Sequence, residues 1–343
     1  FLKDRKKSVV FENVKRPPEP GSKIHVGLSG GVDSVSLLHL INNEILNSKK
    51  NSTWYGTQVK AVHINHNVQT LSKKFELLCK KTCQNLGIEL KVINLSIDNE
   101  HIKKIGLEAA ARKERLNAFK NLLKCKTDVL ALGHHLDDQI ETVFLQWMRG
   151  AGLEGLTGML TLDYKIFQDS VLKVWRPLLE TSRSEISNYA ETNNLIWIDD
   201  PMNSDLDYDR NLIRHKVIPL LKMTRSGTTS AMVRSVKHLQ SARLLLEKIT
   251  NSALKNCELE NESPMHLTVK NLSKSELLKL DDLLISRVLR AWLNKMGCSA
   301  PPTKRLLEFI RQLKTSSKKT GSLMEVNGSN GYKIITNLNE LTL

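Results

Sequence analysis

A run of apolar residues from Lys23 to Leu28 (KIHVGL) leads straight into SGGVDS at Ser29 to Ser34, and helical spacing follows from Asp33 to Leu46. A buried strand that turns through two glycines into an amphipathic helix is the opening unit of an α/β sheet. Gly30 and Gly31 permit a tight turn and a close approach of a ligand to the backbone. The free N–H groups and the dipole of the helix start favour an anion there. The stretch therefore reads as a phosphate cradle. It is not a Walker A sequence, since no GKS or GKT follows, and it is not the GxGxxG fingerprint. The bland alternative is a plain strand-to-helix turn, for which two glycines and a capping Ser suffice.

The same rhythm continues through the first half. Strands are expected at Val59 to Ile64, Leu90 to Leu95, Val129 to Leu132 and Val171 to Trp175. Helices are expected from Ser72 to the stop at Gly87, from Leu107 to Leu123, from Asp138 to Met148, and from the Ser182/Glu185 capping box to Asn193. Near-continuous apolar strands alternating with helices imply an α/β fold with a doubly wound, parallel, five-stranded sheet. After Lys222 the stretch TRSGTTS reads as a linker, and helical periodicity takes over at 231–254, 280–296 and 303–313. The chain thus divides into residues 1–222, an α/β catalytic domain, and 223–343, a mainly helical, basic domain. The short β end (SLMEVNGSNGYKIITN) of the second has Gly-containing turns that suit a hairpin.

Composition narrows the function classes. With 40% hydrophobic and 25% charged residues the chain is neither a disordered tail nor a fibre, and no apolar stretch reaches membrane-spanning length. Five scattered cysteines (Cys79, Cys83, Cys125, Cys257, Cys298) argue for free thiols in a reducing compartment. The first residues lack an apolar leader; a removed organelle presequence stays open because the first residue is not Met. The net charge is +15, of which residues 211–343 carry +12 from 22 basic and 10 acidic residues. That asymmetry suggests a polyanionic partner, with a lysine-rich solvated surface as the plain alternative.

A second cluster, GHHLDDQIET at Gly133 to Thr142, falls at the end of the fourth strand. His134, Asp138 and Glu141 are spaced i, i+4, i+7, so a helix through all three brings them to one face. There they could hold Mg²⁺ through phosphates and orient a nucleophile. The alternative is that acids in a first turn merely complement the helix dipole. RGAGLEGLTGM, Arg149 to Met159, has the glycine density of a loop passing close to a substrate, with Arg149 as a phosphate contact, or of a merely flexible connection. In DDPMNSDLDYDRNLIRHKVIPLL, Arg210 and Arg214 are four apart on one helix face and suit a phosphate, or pair with Asp205, Asp207 or Asp209. His63 and His66 end the second strand as ligand or structural groups. Cys79 and Cys83 share a helix face, with no matching CxxC to make a metal site.

Taken in order, SGGVDS, EAAARKER (Glu108 to Arg115), GHHLDDQIET, RGAGLEGLTGM, RPLL (Arg176 to Leu179) and DDPMNSDLDYDRNLIRHKVIPLL closely resemble the tRNA(Ile)-lysidine synthetase family. This is a branch of the N-type ATP pyrophosphatases with their Rossmann-like PP-loop domain. The resemblance covers roughly Ile24 to Leu221, and the basic helical region is similar to the family's tRNA-binding part. It implies that ATP adenylates the C2 oxygen of the wobble cytidine in isoleucine tRNA with a CAU anticodon. The amine of free L-lysine then displaces AMP in the cytoplasm, or in an organelle.

By the same resemblance Ser29, Gly30, Gly31, Val32, Asp33 and Ser34 hold ATP. Arg112, His134, Asp138 and Glu141 line the reaction centre, Asp33 and Asp138 meet Mg²⁺, and Arg210 and Arg214 lie near lysine or phosphate. A homodimer is compatible with it. Where relatives read HxNHGLR, Asn67 and Gln69 stand here for Gly and Arg, and longer members carry a further C-terminal domain. Two rivals remain: a PP-loop tRNA thiolase, which usually needs paired cysteines or an iron-sulfur cluster, and a non-enzymatic RNA-binding protein on a nucleotide fold.

Overall fold

The computed structural model describes residues 14, 19–65, 72–95, 106–123, 125, 127–167, 170–201, 205, 208–259, 271–315, 323–326 and 331–343. His66, Asn67, Gln69, Asp207 and the residues between the two hairpin strands lie outside them, as does the Glu108 side chain. Two compact units form: Phe1–Lys165 with Ser170–Leu239, and Ile166–Asp169 with Gln240–Leu343.

In the first unit, strands β1 (Lys23–Gly27), β2 (Gln58–Asn65), β3 (Leu90–Asn94) and β4 (Asp128–Ala131) alternate with helices α1 (Val32–Leu46), α2 (Ser72–Leu86) and α3 (Leu107–Leu122). Helix α4 (Leu136–Met148), the short α5 (Leu153–Leu156), β5 (Leu162–Ile166), β6 (Val171–Trp175) and α6 (Arg183–Thr192) follow. The sheet order is β3-β2-β1-β4-β6-β5. The β1–β2, β1–β4, β2–β3 and β4–β6 pairs are parallel, which gives the five expected parallel strands. A sixth, β5, lies beside β6 at the edge; no strand is expected there, although its sequence LDYKI alternates apolar with charged residues as a half-exposed edge strand does.

Ile24, Val26, Val129 and Ala131 are buried with Val35, Leu38 and Ile41 of α1 and with Ile186 and Ala190 of α6. Burial this complete is why β1 and β4 read as continuous apolar runs. The order reverses between β1 and β4, so their carboxyl ends open on the crevice where ligands bind in such sheets.

Beyond α6 the chain forms α7 (Asp209–Leu212), a π-helical segment (Ile213–Val217) and α8 (Ile218–Thr224) without interruption. Helix α9 (Thr228–Cys257) begins inside the stretch expected as a linker, leaving only Arg225 to Gly227 as a turn.

The second unit packs α11 (Asp282–Lys295) and α12 (Thr303–Thr315) around the buried Trp292, Leu289, Phe309 and Leu313. Strand β7 (Leu272–Ser273) leads into α10 (Lys274–Leu278), and β8 (Leu323–Val326), β9 (Tyr332–Thr336) and β10 (Glu340–Thr342) complete an antiparallel sheet of order β7-β10-β9-β8. The expected hairpin is the β8–β9 pair, with Val326 opposite Tyr332. Among the described residues no helix is long and apolar enough to cross a membrane.

Candidate active site

Three helix starts meet at the carboxyl ends of β1 and β4, and they treat their first-turn N–H groups differently. The start of α1 is left open. Its N-cap is Gly31, in extended backbone with no side-chain cap, and a Cβ there would meet only Ser29 Oγ, at 3.6 Å. Gly30 is required for a separate reason: its φ is +91°, and a Cβ would sit 3.1 Å from the Phe75 ring.

The loop is laced from within. Ser29 N–H donates to Ser34 Oγ at 3.1 Å, and Ser34 Oγ donates to the Gly31 carbonyl at 3.0 Å. It is also braced from outside, by Ile198 N–H on the Gly30 carbonyl (3.1 Å) and His63 Nδ1 on the Leu28 carbonyl (2.8 Å). His63 is therefore a structural brace, as one of its two sequence readings had it. Cys79 and Cys83 lie buried in α2, and burial pushes their thiols up to about 12 and about 11.

The start of α4 is sealed. His135 is its N-cap: Nδ1 accepts from Asp138 N–H at 3.3 Å, while the Asp138 carboxylate accepts from His135 N–H at 3.0 Å, a closed capping box. With Nδ1 accepting, the ring proton belongs on Nε2, which lies 3.4 Å from Asp138 Oδ2 and 3.8 Å from Asp33 Oδ1. One imidazole thus joins the PP-loop to α4. The sequence reading chose His134 and missed His135, although its three-residue spacing to Asp138 is the signature of a capping box.

Gly133 was also given no role. A Cβ there would lie 3.0 Å from the Asp33 backbone carbon and oxygen, so only glycine lets the first turn of α1 rest on the end of β4.

Because α4 begins at Leu136, His134 lies outside it, and the three residues do not share a helix face as the spacing suggested. The turn gathers them instead. His134 is half-buried with its Nδ1 sealed and without a partner among the described residues. Burial drives it down to about 3, with Arg176, Arg210 and Arg115 pushing the same way against Asp138. Burial also raises Asp33, whose Oδ1 is buried without a hydrogen bond, against the charges of His135 and Arg183. For Asp138 burial is outweighed by His135, Arg210 and His134, and its carboxyl sits below the usual range.

At the centre, Asp138 and Glu141 face two arginines. Arg210 reaches Asp138 Oδ1 and Glu141 Oε2, both at 2.7 Å; Arg214 reaches Glu141 Oε1 at 2.6 Å and Asp138 Oδ1 at 3.3 Å. The Glu141 side chain is 0% exposed, so this double clamp supplies the compensation that a buried carboxylate needs. Arg214 lies in the π-helical segment, a distortion common at functional sites.

Two expected residues stand apart from this quartet. Arg149 is exposed at the C-cap of α4, eight residues and about 12 Å along the axis beyond Glu141. Arg112 is exposed on α3, and its charge bears on Arg176. The glycine-rich loop is pinned rather than flexible. Gln139 bonds both the carbonyl (2.8 Å) and the N–H (2.7 Å) of Met159, and Ala151 N–H reaches the Gln146 carbonyl at 2.9 Å.

Comparisons with known proteins bear on the family. A PP-loop domain model matches residues 4–221, and a TilS substrate-binding domain model matches 272–328. A tRNA(Ile)-lysidine synthase of Francisella tularensis subsp. tularensis is 32% identical over 338 residues, which cover 98% of this chain and 77% of that one. The chain belongs to the tRNA(Ile)-lysidine synthase family.

Another lysidine synthase, from Nitrosomonas europaea, is 35% identical over 88% of this chain and 61% of its own length. The chain spans about six-tenths of the length of several curated lysidine synthases it matches. Among solved structures, a U34-tRNA thiolase of Methanococcus maripaludis with its [4Fe-4S] cluster aligns with a TM-score of 0.54 at 21% identity. That alignment covers 69% of this chain and 78% of the thiolase and concerns the fold that lysidine synthases share with it. Among the described residues no three His, Cys, Asp or Glu side chains converge as a metal site.

Proposed function

We propose that this chain carries out lysidine synthesis. In a first step ATP adenylates the C2 oxygen of the wobble cytidine of CAU-anticodon isoleucine tRNA, and pyrophosphate leaves. In a second step the amine of free lysine attacks C2, forming a C–N bond as AMP departs. The observation that carries this reading is one open helix start beside a buried quartet of two carboxylates and two arginines. An open start suits phosphate. A zwitterion with an extra amine suits the quartet, because it can exchange partners with both signs of charge.

The residues divide the work. Ser29 to Ser34 receive the phosphates on the first-turn N–H groups of α1. Arg112 and Arg149 are assigned to phosphate contact, with Arg149 on the RNA side. Asp138 and Glu141 take the lysine amine, and Arg210 and Arg214 take its carboxylate or the departing phosphate.

His134 is kept neutral by burial and has an unpartnered Nδ1, so it can accept a hydrogen bond from the lysine amine and help aim it at C2. Asp33 fits Mg²⁺, since its buried Oδ1 lacks a hydrogen bond. The Asp138 oxygens are already held by the arginines and His135, so the ion falls to Asp33 alone. Bound there, Mg²⁺ would screen the phosphate charge. The basic residues 223–343 are assigned to tRNA.

The test is pyrophosphate release from ATP with this tRNA, with and without lysine, followed by mass analysis of the wobble nucleoside. A gain equal to lysine minus water is expected. Pyrophosphate release with sulfur incorporation would transfer the protein to the thiolases, and no release at all would leave an RNA-binding protein.

A further inference from the structure

Helix α6 presents a cation where its own dipole disfavours one. Ser182 and Glu185 close a capping box over its first turn, with Ser182 Oγ accepting from Glu185 N–H at 3.3 Å and Glu185 Oε2 accepting from Ser182 N–H at 2.8 Å. The next residue, at the first helical position, is Arg183, although positive charge is unfavourable at a helix N-terminus. Among the described residues the Arg183 guanidinium has neither a hydrogen bond nor an ion pair, and the side chain is half-buried.

Its backbone is fixed tightly. Arg183 N–H donates to Asp137 Oδ2 at 2.9 Å, and Leu136 N–H donates to the Thr181 carbonyl at 2.9 Å, so the start of α6 is stitched to the start of α4.

The direction in which this places the cation follows from two helices in register. Helices α1 and α6 pack side by side, and His39 Nδ1 meets Tyr189 Oη at 2.8 Å. Both helices follow strands of the parallel sheet and so run the same way, and with His39 six residues past Asp33 and Tyr189 six past Arg183 their first turns are level. The Arg183 charge accordingly bears on Asp33. Yet the two do not pair, and Asp33 Oδ1 is left buried without a hydrogen bond. Opposite charges held near each other but kept from closing leave space for a ligand bearing both signs. A polyphosphate with its divalent cation is such a ligand.

We infer that Arg183 is a catalytic residue that contacts the polyphosphate of the nucleotide docked on the open start of α1. The inference rests on the function proposed above and adds a side chain from a different helix to that site. α1 supplies backbone donors; α6, its first-turn donors taken up by Glu185's partner Ser182 and by Asp137, supplies the guanidinium; and Asp33 takes the cation between them.

The experiment is equilibrium binding of a non-hydrolysable ATP analogue with Mg²⁺, and of adenosine, to the full chain and to Arg183→Ala and Arg183→Lys. Loss of a charge-assisted contact should weaken the analogue about 10- to 100-fold in Arg183→Ala. Arg183→Lys should recover part of the loss, and adenosine binding should not change. Tm without nucleotide should hold or rise, since the capping box is untouched. Equal analogue affinity in wild type and Arg183→Ala overturns the inference, as does an equal loss of adenosine. Should the alanine variant not fold, the analogue-to-adenosine ratio in Arg183→Lys decides in the same way. A wild type that binds no nucleotide fails the proposed function itself, and this assignment with it.

Discussion

The turns after β1 and after β4 are built alike, a buried strand running through glycine into a helix, but they end in opposite states. After β1 the N-cap is Gly31 and no side chain caps the first turn; after β4 the N-cap is His135, whose ring and partner Asp138 close the turn on itself. The difference separates a ligand site from its support. Donors that the chain leaves unspent are available to a phosphate, whereas acids in a sealed first turn hold position and charge.

The largest effect should come from breaking the sealed side. Replacing both Arg210 and Arg214 by Ala strips a fully buried Glu141 of its guanidinium partners, a change expected to cost about 3–5 kcal/mol in urea unfolding. A cost below ~1 kcal/mol would mean that the clamp does not support the turn.

Next comes the contact between the two turns. Gly133→Ala drives a methyl into the Asp33 backbone and should cost about 1–3 kcal/mol, with weakened binding of an ATP analogue. Gly31→Ala faces open space, so it should leave Tm nearly unchanged while lowering analogue affinity; equal Tm losses in the two variants would erase the distinction between the turns.

A smaller effect is expected from the cap. His135→Ala should cost about 1 kcal/mol by thermal unfolding, and His135→Asn, which keeps an acceptor, should recover most of it.

The last effect vanishes at neutral pH and shows only as a slope toward acid. His134 is held down to about 3 by burial, against an ordinary value of 6.5. As pH falls below 6.5 the unfolded chain takes up a proton that the folded chain refuses. The His134 contribution is therefore complete above that value and is lost progressively toward acid. Unfolding free energies measured from neutral to acid pH should show a shallower decline in His134→Gln than in wild type.

Much of this was legible in the sequence because local and tertiary signals agree. The strand from Lys23, the helix to Leu46, the Ser182/Glu185 box and the fifth strand at Val171 to Trp175 all fall within a residue or two of their expected places. Other features depend on distance in the chain. The spacing of His135 to Asp138 marks a capping box but not the approach of that ring to Asp33, and Arg210 and Arg214, which have aspartates near them in the chain, cross instead to α4. Likewise, the placement of Arg183 beside Asp33 depends on α1 and α6 running in register.

The clamp on Glu141 also sets an order on the ribosome. Its partners lie 69 and 73 residues downstream, so at about 5–20 residues per second the acid waits roughly 3–14 s for its first arginine. During that interval α4 cannot be packed without stranding a charge. The crevice side of the sheet is therefore completed only once Arg214 has emerged.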